Sequence, residues 1–236
     1  MKIIEFLYPD LCTLFGDPYN AEYLSKMLPE FKLVRTLSTD RPLFADNKAA
    51  IVYMGSMTEA AQECAISALS EYKSDFIREL DNNTTFLITG NALEVFGERI
   101  QDGEKTISGL GVFPNTARRQ MLKRHNSFYL GNFNKMGIVG YKSQFAHTTG
   151  TDSNLFDTVR GVGLDGISGS GEGFRLNNFF ATYLIGPLLI QNPPFAKYIA
   201  STVGEKDITL PFETAAYESY NARLKEYADK NKNYLL

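Results

Sequence analysis

The chain has 236 residues, of which 44% are apolar and 22% charged, and its 24 basic and 27 acidic side chains give a formal charge of −3. Length and composition fit one compact domain over 1–236 with a full core, needing no disulfide or metal staple. The charge argues against a dedicated nucleic-acid binder. No apolar run approaches the roughly 20 residues that cross a bilayer, and Met1-Lys2-Ile3-Ile4-Glu5-Phe6-Leu7 lacks the flanks of a signal peptide, so the expected compartment is the cytoplasm.

In chain order, strand-length apolar runs occupy 2–7, 31–37, 49–54 and 85–89. A helical pattern covers Ala21 to Leu28. A longer one runs from Thr58, a fitting N-cap, to Leu80, with Ala61, Ala65, Leu69, Tyr72 and Phe76 at steps of three and four. This alternation predicts an α/β fold with a mostly parallel sheet flanked by helices on both faces, and a site at the carboxyl ends of its strands. Beyond residue 103, glycines punctuate short β-like pieces at 127–131, 136–141 and 178–184, and a Gly-rich stretch from 148 to 173 reads as an ordered loop or a lid. Helices are predicted over 195–203 and 213–230.

Cys12, Cys64, His125 and His147 are the only cysteines and histidines, which excludes a disulfide framework and a Cys-rich zinc site. Cys64 reads as a buried small hydrophobe, Cys12 as an unactivated thiol in a polar loop, and His147 as a surface or lid residue. Gly161-Val162-Gly163-Leu164-Asp165-Gly166 matches G-x-G-x-x-G, but no helix follows to face a pyrophosphate, so dinucleotide binding is not expected. No other cofactor is expected either. The run 86–97, Phe-Leu-Ile-Thr-Gly-Asn-Ala-Leu-Glu-Val-Phe-Gly, turns from an apolar strand straight into helix-compatible sequence. That is the layout of a nucleophile elbow, although an ordinary strand-to-helix turn has the same local composition.

With that elbow, the ordered set Tyr8-Pro9-Asp10, Leu14-Phe15-Gly16-Asp17, Met54-Gly55-Ser56-Met57, Gly109-Leu110-Gly111-Val112, Gly137 to Tyr141, Glu172-Gly173-Phe174-Arg175 and Ala181 to Leu189 resembles the class I glutamine amidotransferases. The resemblance is to their cobyric acid synthase (CobB/CobQ-like) branch, and within it to the glutaminase subunit of lipid II isoglutaminyl synthase. It implies a flavodoxin-like sheet and a Mur-ligase-like ATP-dependent synthetase as partner. In that family an elbow Cys, activated by a His on a later strand, attacks the glutamine side-chain amide.

Here the Cys position falls on Gly90 and the His position on Ile185, and the family's aromatic-Glu-Asn-His stretch reads Tyr141-Lys142-Ser143-Gln144. The resemblance places oxyanion-type backbone amides at Gly55, Ser56 and Asn91. It places a carboxylate-gripping Arg at Arg124, with Arg118 and Arg119 as neighbours in competition. Glu172 and Arg175 are candidates for an ion pair.

Two functions follow as expectations. One is a subunit without glutaminase activity that binds a synthetase, with glutamine or another small ligand as the candidate occupant of its pocket. The alternative is an active amidotransferase delivering ammonia to a cell-wall precursor (lipid II) or a cobyrinate-type acid.

Overall fold

The computed structural model describes residues 1–151 and 153–232. Four of its strands are β1 (Ile3–Leu7), β2 (Lys32–Thr36), β3 (Ile51–Met54) and β4 (Thr85–Thr89). They join β12 (Phe174–Leu176) and β13 (Phe179–Thr182) in a six-stranded sheet of order β12-β13-β4-β3-β1-β2. All neighbours are parallel except the edge pair β12 and β13. Every residue of β3, β4 and β13 is buried, the pattern required of parallel strands covered on both faces.

The covering helices are α1 (Tyr19–Met27), α2 (Glu59–Leu69), α3 (Lys73–Asp81), α4 (Leu188–Gln191), α5 (Pro193–Thr202) and α6 (Glu213–Ala228). The predicted long helix is two helices. Thr58 does cap the first, its side chain accepting from Ala61 N. At Ser70 the chain tightens into a 3-10 turn over Ser70–Tyr72, and Ser70 Oγ donates back to Ser67 O at 2.7 Å, a local bond that competes with a regular helix. The break lets α3 set Phe76 against Phe86 and Phe96, with ring centroids 4.6 and 4.7 Å apart. Such pairs add about 0.5–1.5 kcal/mol each beyond their burial, and they seat the segment after β4 against the sheet.

The second half adds two small sheets. β5 (Arg99–Asp102), β6 (Lys105–Ser108), β7 (Thr116–Arg119) and β10 (Ala146–Thr149) form a four-stranded sheet of order β10-β7-β5-β6. Its inner face carries Ile100, Ile107, Ala117 and Ala146. β8 (His125–Phe133) and β9 (Met136–Gln144) are a long hairpin extended by β11 (Asp157–Arg160). The hairpin turns at Asn134 and Lys135, both at positive φ, as a two-residue turn between twisted strands requires.

The stretch 148–173 is a folded loop containing β11 and bridges between Phe156 and Glu172 and between Val162 and Ser168. Among the described residues, no helix is long and apolar enough to cross a membrane.

Candidate functional site

At the carboxyl ends of β3, β4 and β13 lies a cavity of about 330 Å³ that brings together Gly90, Ile185, Ser56, Asn91 and Arg124. These are positions that the sequence placed in one site, and the site lies at the edge where parallel α/β sheets carry ligands. Gly90 follows β4 directly and adopts φ +61°, the conformation of an elbow and one that glycine accepts without strain. The segment behind it, Gly90–Phe96, is a 3-10 helix.

Ser56 occupies the space that a side chain at Gly90 would need. A Cβ built on Gly90 would overlap Ser56 Oγ and stand 2.8 Å from Ser56 Cβ and 3.2 Å from its Cα. Ser56 is held there by Asp17. The Asp17 Oδ2 atom accepts from Ser56 Oγ at 2.6 Å, from Ser56 N at 2.9 Å and from Thr89 Oγ1 at 2.9 Å, while Oδ1 accepts from Gly186 N at 2.5 Å. Burial pushes the Asp17 carboxyl up to about 6 even though these four donors favour its charged form.

The Ser56 amide is therefore already engaged and does not face the cavity as a free oxyanion donor. The next amide, Met57 N, donates to Asn91 Oδ1 at 3.0 Å, and Asn91 Nδ2 returns a bond to Met57 O at 2.8 Å. The side chain of Asn91 thus clasps the loop after β3 to the elbow. Gly55 is buried against Tyr53 and Asp17, where a Cβ would lie 2.6 Å from the Tyr53 hydroxyl oxygen.

Glu94 is the group in this cavity that sequence reasoning passed over, although it lies in the quoted elbow run. It is a carboxyl within the otherwise apolar turn Ala92-Leu93-Glu94-Val95-Phe96, which was a usable signal. Glu94 Oε1 accepts from Tyr183 OH at 2.9 Å and Oε2 from Gln62 Nε2 at 3.1 Å. Burial raises its pKa to about 7, so it exchanges a proton near neutral pH. Gln62 continues the chain of bonds by accepting from Arg119 Nη2 at 2.6 Å, and Arg119 also pairs with Asp102 at 2.9 Å. Its guanidinium is thereby committed. Arg124 instead stacks over the Phe145 ring at 4.4 Å, exposed at the cavity's rim, and Arg118 points to the far side of the sheet.

Two expectations are corrected. Glu172 does not pair with Arg175. It is fully buried and pairs with Lys142, Nζ to Oε2 2.5 Å, while Arg175 lies over the rings of Phe133, Phe180 and Tyr198. An aromatic cage beside a fully buried cation elsewhere leaves Arg175 no reason to follow Glu172 inward. Cys64 is exposed, not packed, because Gln62, Ala65 and Leu69 define the buried face of α2. Cys12 lies buried beneath the loop after β1, and burial pushes its thiol up to about 12. We expect one of the two thiols to react with an aromatic disulfide reagent in the folded protein, and Cys64→Ser to abolish that fast phase. Two fast thiols would contradict the burial of Cys12.

Neither histidine lines the cavity, nor does any described residue of 148–173. Among the described residues, no three His, Cys, Asp or Glu side chains converge to hold a metal ion. The cavity offers a cation at its rim, an acid near neutrality and amide and hydroxyl groups, which suits binding of a small polar molecule. It offers no thiol and no imidazole.

Comparison with solved structures places this fold. A glutamine amidotransferase superposes with a TM-score of 0.55 at 14% identity, covering 85% of this chain and 98% of its own. A second glutamine amidotransferase, from Thermotoga maritima, gives 0.53 at 11% identity, covering 95% and 94%. No protein-family profile and no curated protein sequence matches the chain. At such identities the likeness establishes the architecture: a glutamine-amidotransferase-like α/β fold.

Proposed function

We propose that this protein is a glutamine-amidotransferase-like subunit that has lost thiol-based glutaminase chemistry and keeps the cavity as a binding pocket for glutamine or another small polar ligand. One observation carries the reading. The elbow of an amidotransferase-like fold holds Gly90, and Ser56 fills the volume a nucleophile would need. Ile185, at the family's base position, is a buried apolar side chain whose amide donates to Tyr141 O at 3.0 Å. A Cys without a base, or a base without a Cys, fails to make a competent nucleophile; this site has neither. The partner in this reading is a Mur-ligase-like ATP-dependent synthetase, as the sequence resemblance implies, and the chain's role toward it is binding or regulatory.

The test is release of ammonia and glutamate from glutamine by the purified chain, alone and with any co-purifying synthetase. We expect turnover below about 0.1 s⁻¹, against a median enzyme near 10 s⁻¹. Faster turnover in either condition would overturn the reading.

A second reading, an active amidotransferase supplying ammonia for a lipid II-type or cobyrinate-type acid, is favoured by one feature. Ser56 Oγ sits 2.6 Å from a carboxyl raised to about 6. If that pair works as nucleophile and base, Ser56→Ala abolishes any turnover found.

A further inference from the structure

Consecutive strand residues face opposite ways, and on β7 this splits two arginines. Arg119 turns toward the cavity, whereas Arg118 turns to the other face of the four-stranded sheet. The register gathers a wholly polar set on that outer face. Arg99 aligns with Thr116 and Gln101 with Arg118 across β5 and β7, and His147 and Thr149 lie opposite Arg118 and Thr116 on β10. These six side chains line a groove of about 460 Å³, with Asp165 on its wall.

The charges in this groove are not balanced from within. Arg99 and Arg118 are diagonal neighbours on adjacent strands, within reach of one bound anion. Only Glu98 approaches Arg99, at 3.7 Å, and both side chains are half in solvent. Arg118 is exposed in the groove, and no ion pair or side-chain hydrogen bond of it is found among the described residues. Asp165 is the one carboxylate on the groove wall, its Oδ1 turned to Ile167 N at 2.9 Å and to Ser170 Oγ within its own turn, so two guanidinium groups stand against one carboxylate.

His147 adds a second, independent sign. Gly166 presses on its ring, so that a Cβ there would stand 2.5 Å from Nδ1. Nδ1 is sealed from solvent with no partner. That leaves Nε2 as the nitrogen available to the groove.

We propose that this outer face is a binding site for a phosphoryl group, either free phosphate or the phosphate of a small monoester. Two guanidinium forks match the oxygens of a phosphate, the His147 Nε2–H donates a third bond, and the hydroxyls of Thr116 and Thr149 flank them. A bound dianion would be shared by both guanidinium groups. The site stands on the face opposite the cavity and does not depend on the function proposed above.

The experiment is calorimetric titration of the full chain with inorganic phosphate and, separately, with glycerol phosphate. Ring-nitrogen spectra of the two histidines are recorded alongside. We expect saturable binding, a shift of the His147 ring signals, and at least tenfold weaker binding in Arg99→Gln/Arg118→Gln. Arg35→Gln, an exposed arginine on β2, is the control and retains binding. Stronger binding of the monoester assigns the site to a phosphorylated metabolite, and equal binding assigns it to the free anion. No saturation with either probe, undiminished binding in the double variant, or an equal loss in Arg35→Gln overturns the proposal. Both arginines are exposed, so the variants keep the fold, which their thermal unfolding verifies.

Discussion

Gly90→Ala is expected to destabilise the protein by roughly 2–5 kcal/mol, combining the cost of overpacking with that of a non-glycine residue held at positive φ. The overlap is with Ser56 Oγ and Cβ, and Ser56 cannot swing aside without giving up its 2.6 Å bond to Asp17. Ser56→Gly should therefore recover part of the loss in Gly90→Ala/Ser56→Gly, leaving the conformational strain and the lost hydroxyl bond. Urea unfolding of the two single variants and the double variant measures this coupling, and simple additivity would show that Ser56 is not the obstacle. The same geometry decides whether glutaminase chemistry can be built into this elbow. Gly90→Cys with Ile185→His puts a thiol into occupied space, so we expect no glutaminase gain from that pair. Adding Ser56→Gly opens the site, and ammonia release by the triple variant is the readout. Release by the pair without Ser56→Gly would contradict this account of the elbow.

The sequence revealed the parallel half of the fold because its strands are unbroken apolar runs such as Ile51–Met54 and Thr85–Thr89. It hid the four-stranded sheet for the opposite reason. Arg99–Asp102, Lys105–Ser108 and Thr116–Arg119 each offer at most one apolar inward residue, Ile100, Ile107 or Ala117, between polar neighbours. Too little periodicity survives in four residues to separate a strand from a loop. At the site, Gly90 and Ile185 were legible as positions in an ordered series of motifs. The hold of Asp17 on Ser56 was not, since it joins residues 39 apart through tertiary structure alone. Cys64 misled because a free cysteine is usually packed inside, while the buried face of α2 was set partly by a polar residue, Gln62. Gln62 is buried because it serves Glu94 and Arg119 at once, a reason no hydropathy pattern contains.

Lys142→Met is expected to cost about 3–5 kcal/mol, the usual penalty for stripping one partner from a buried ion pair. All three ammonium protons of Lys142 are used: toward Glu172 Oε2 at 2.5 Å, Gly163 O at 2.8 Å and Val162 O at 3.1 Å. Burial pulls the lysine pKa down, and the adjacent Glu172 carboxylate opposes that pull. Methionine fills the volume of the stem but leaves Glu172 Oε2 and the Val162 carbonyl without donors, while Gly163 O keeps the bond from Gly166 N at 3.2 Å. Glu172 Oε1 keeps its bonds from Thr182 Oγ1 at 2.8 Å and Tyr183 N at 2.7 Å, so the damage falls on the side facing the loop at 161–171. In a chain of this size each 1 kcal/mol moves the midpoint by roughly 2–4 °C, and Lys142→Met should lower Tm by about 10 °C with faster proteolysis inside that loop. Adding Glu172→Gln removes the stranded charge and supplies an amide donor toward the loop carbonyls. The double variant should therefore be more stable than Lys142→Met alone. If it is no more stable, the cost of Lys142→Met does not come from the unpaired carboxylate. Lys142 thus acts as a structural anchor, tying β9 to the loop at 161–171 and, through Glu172, to the end of β13.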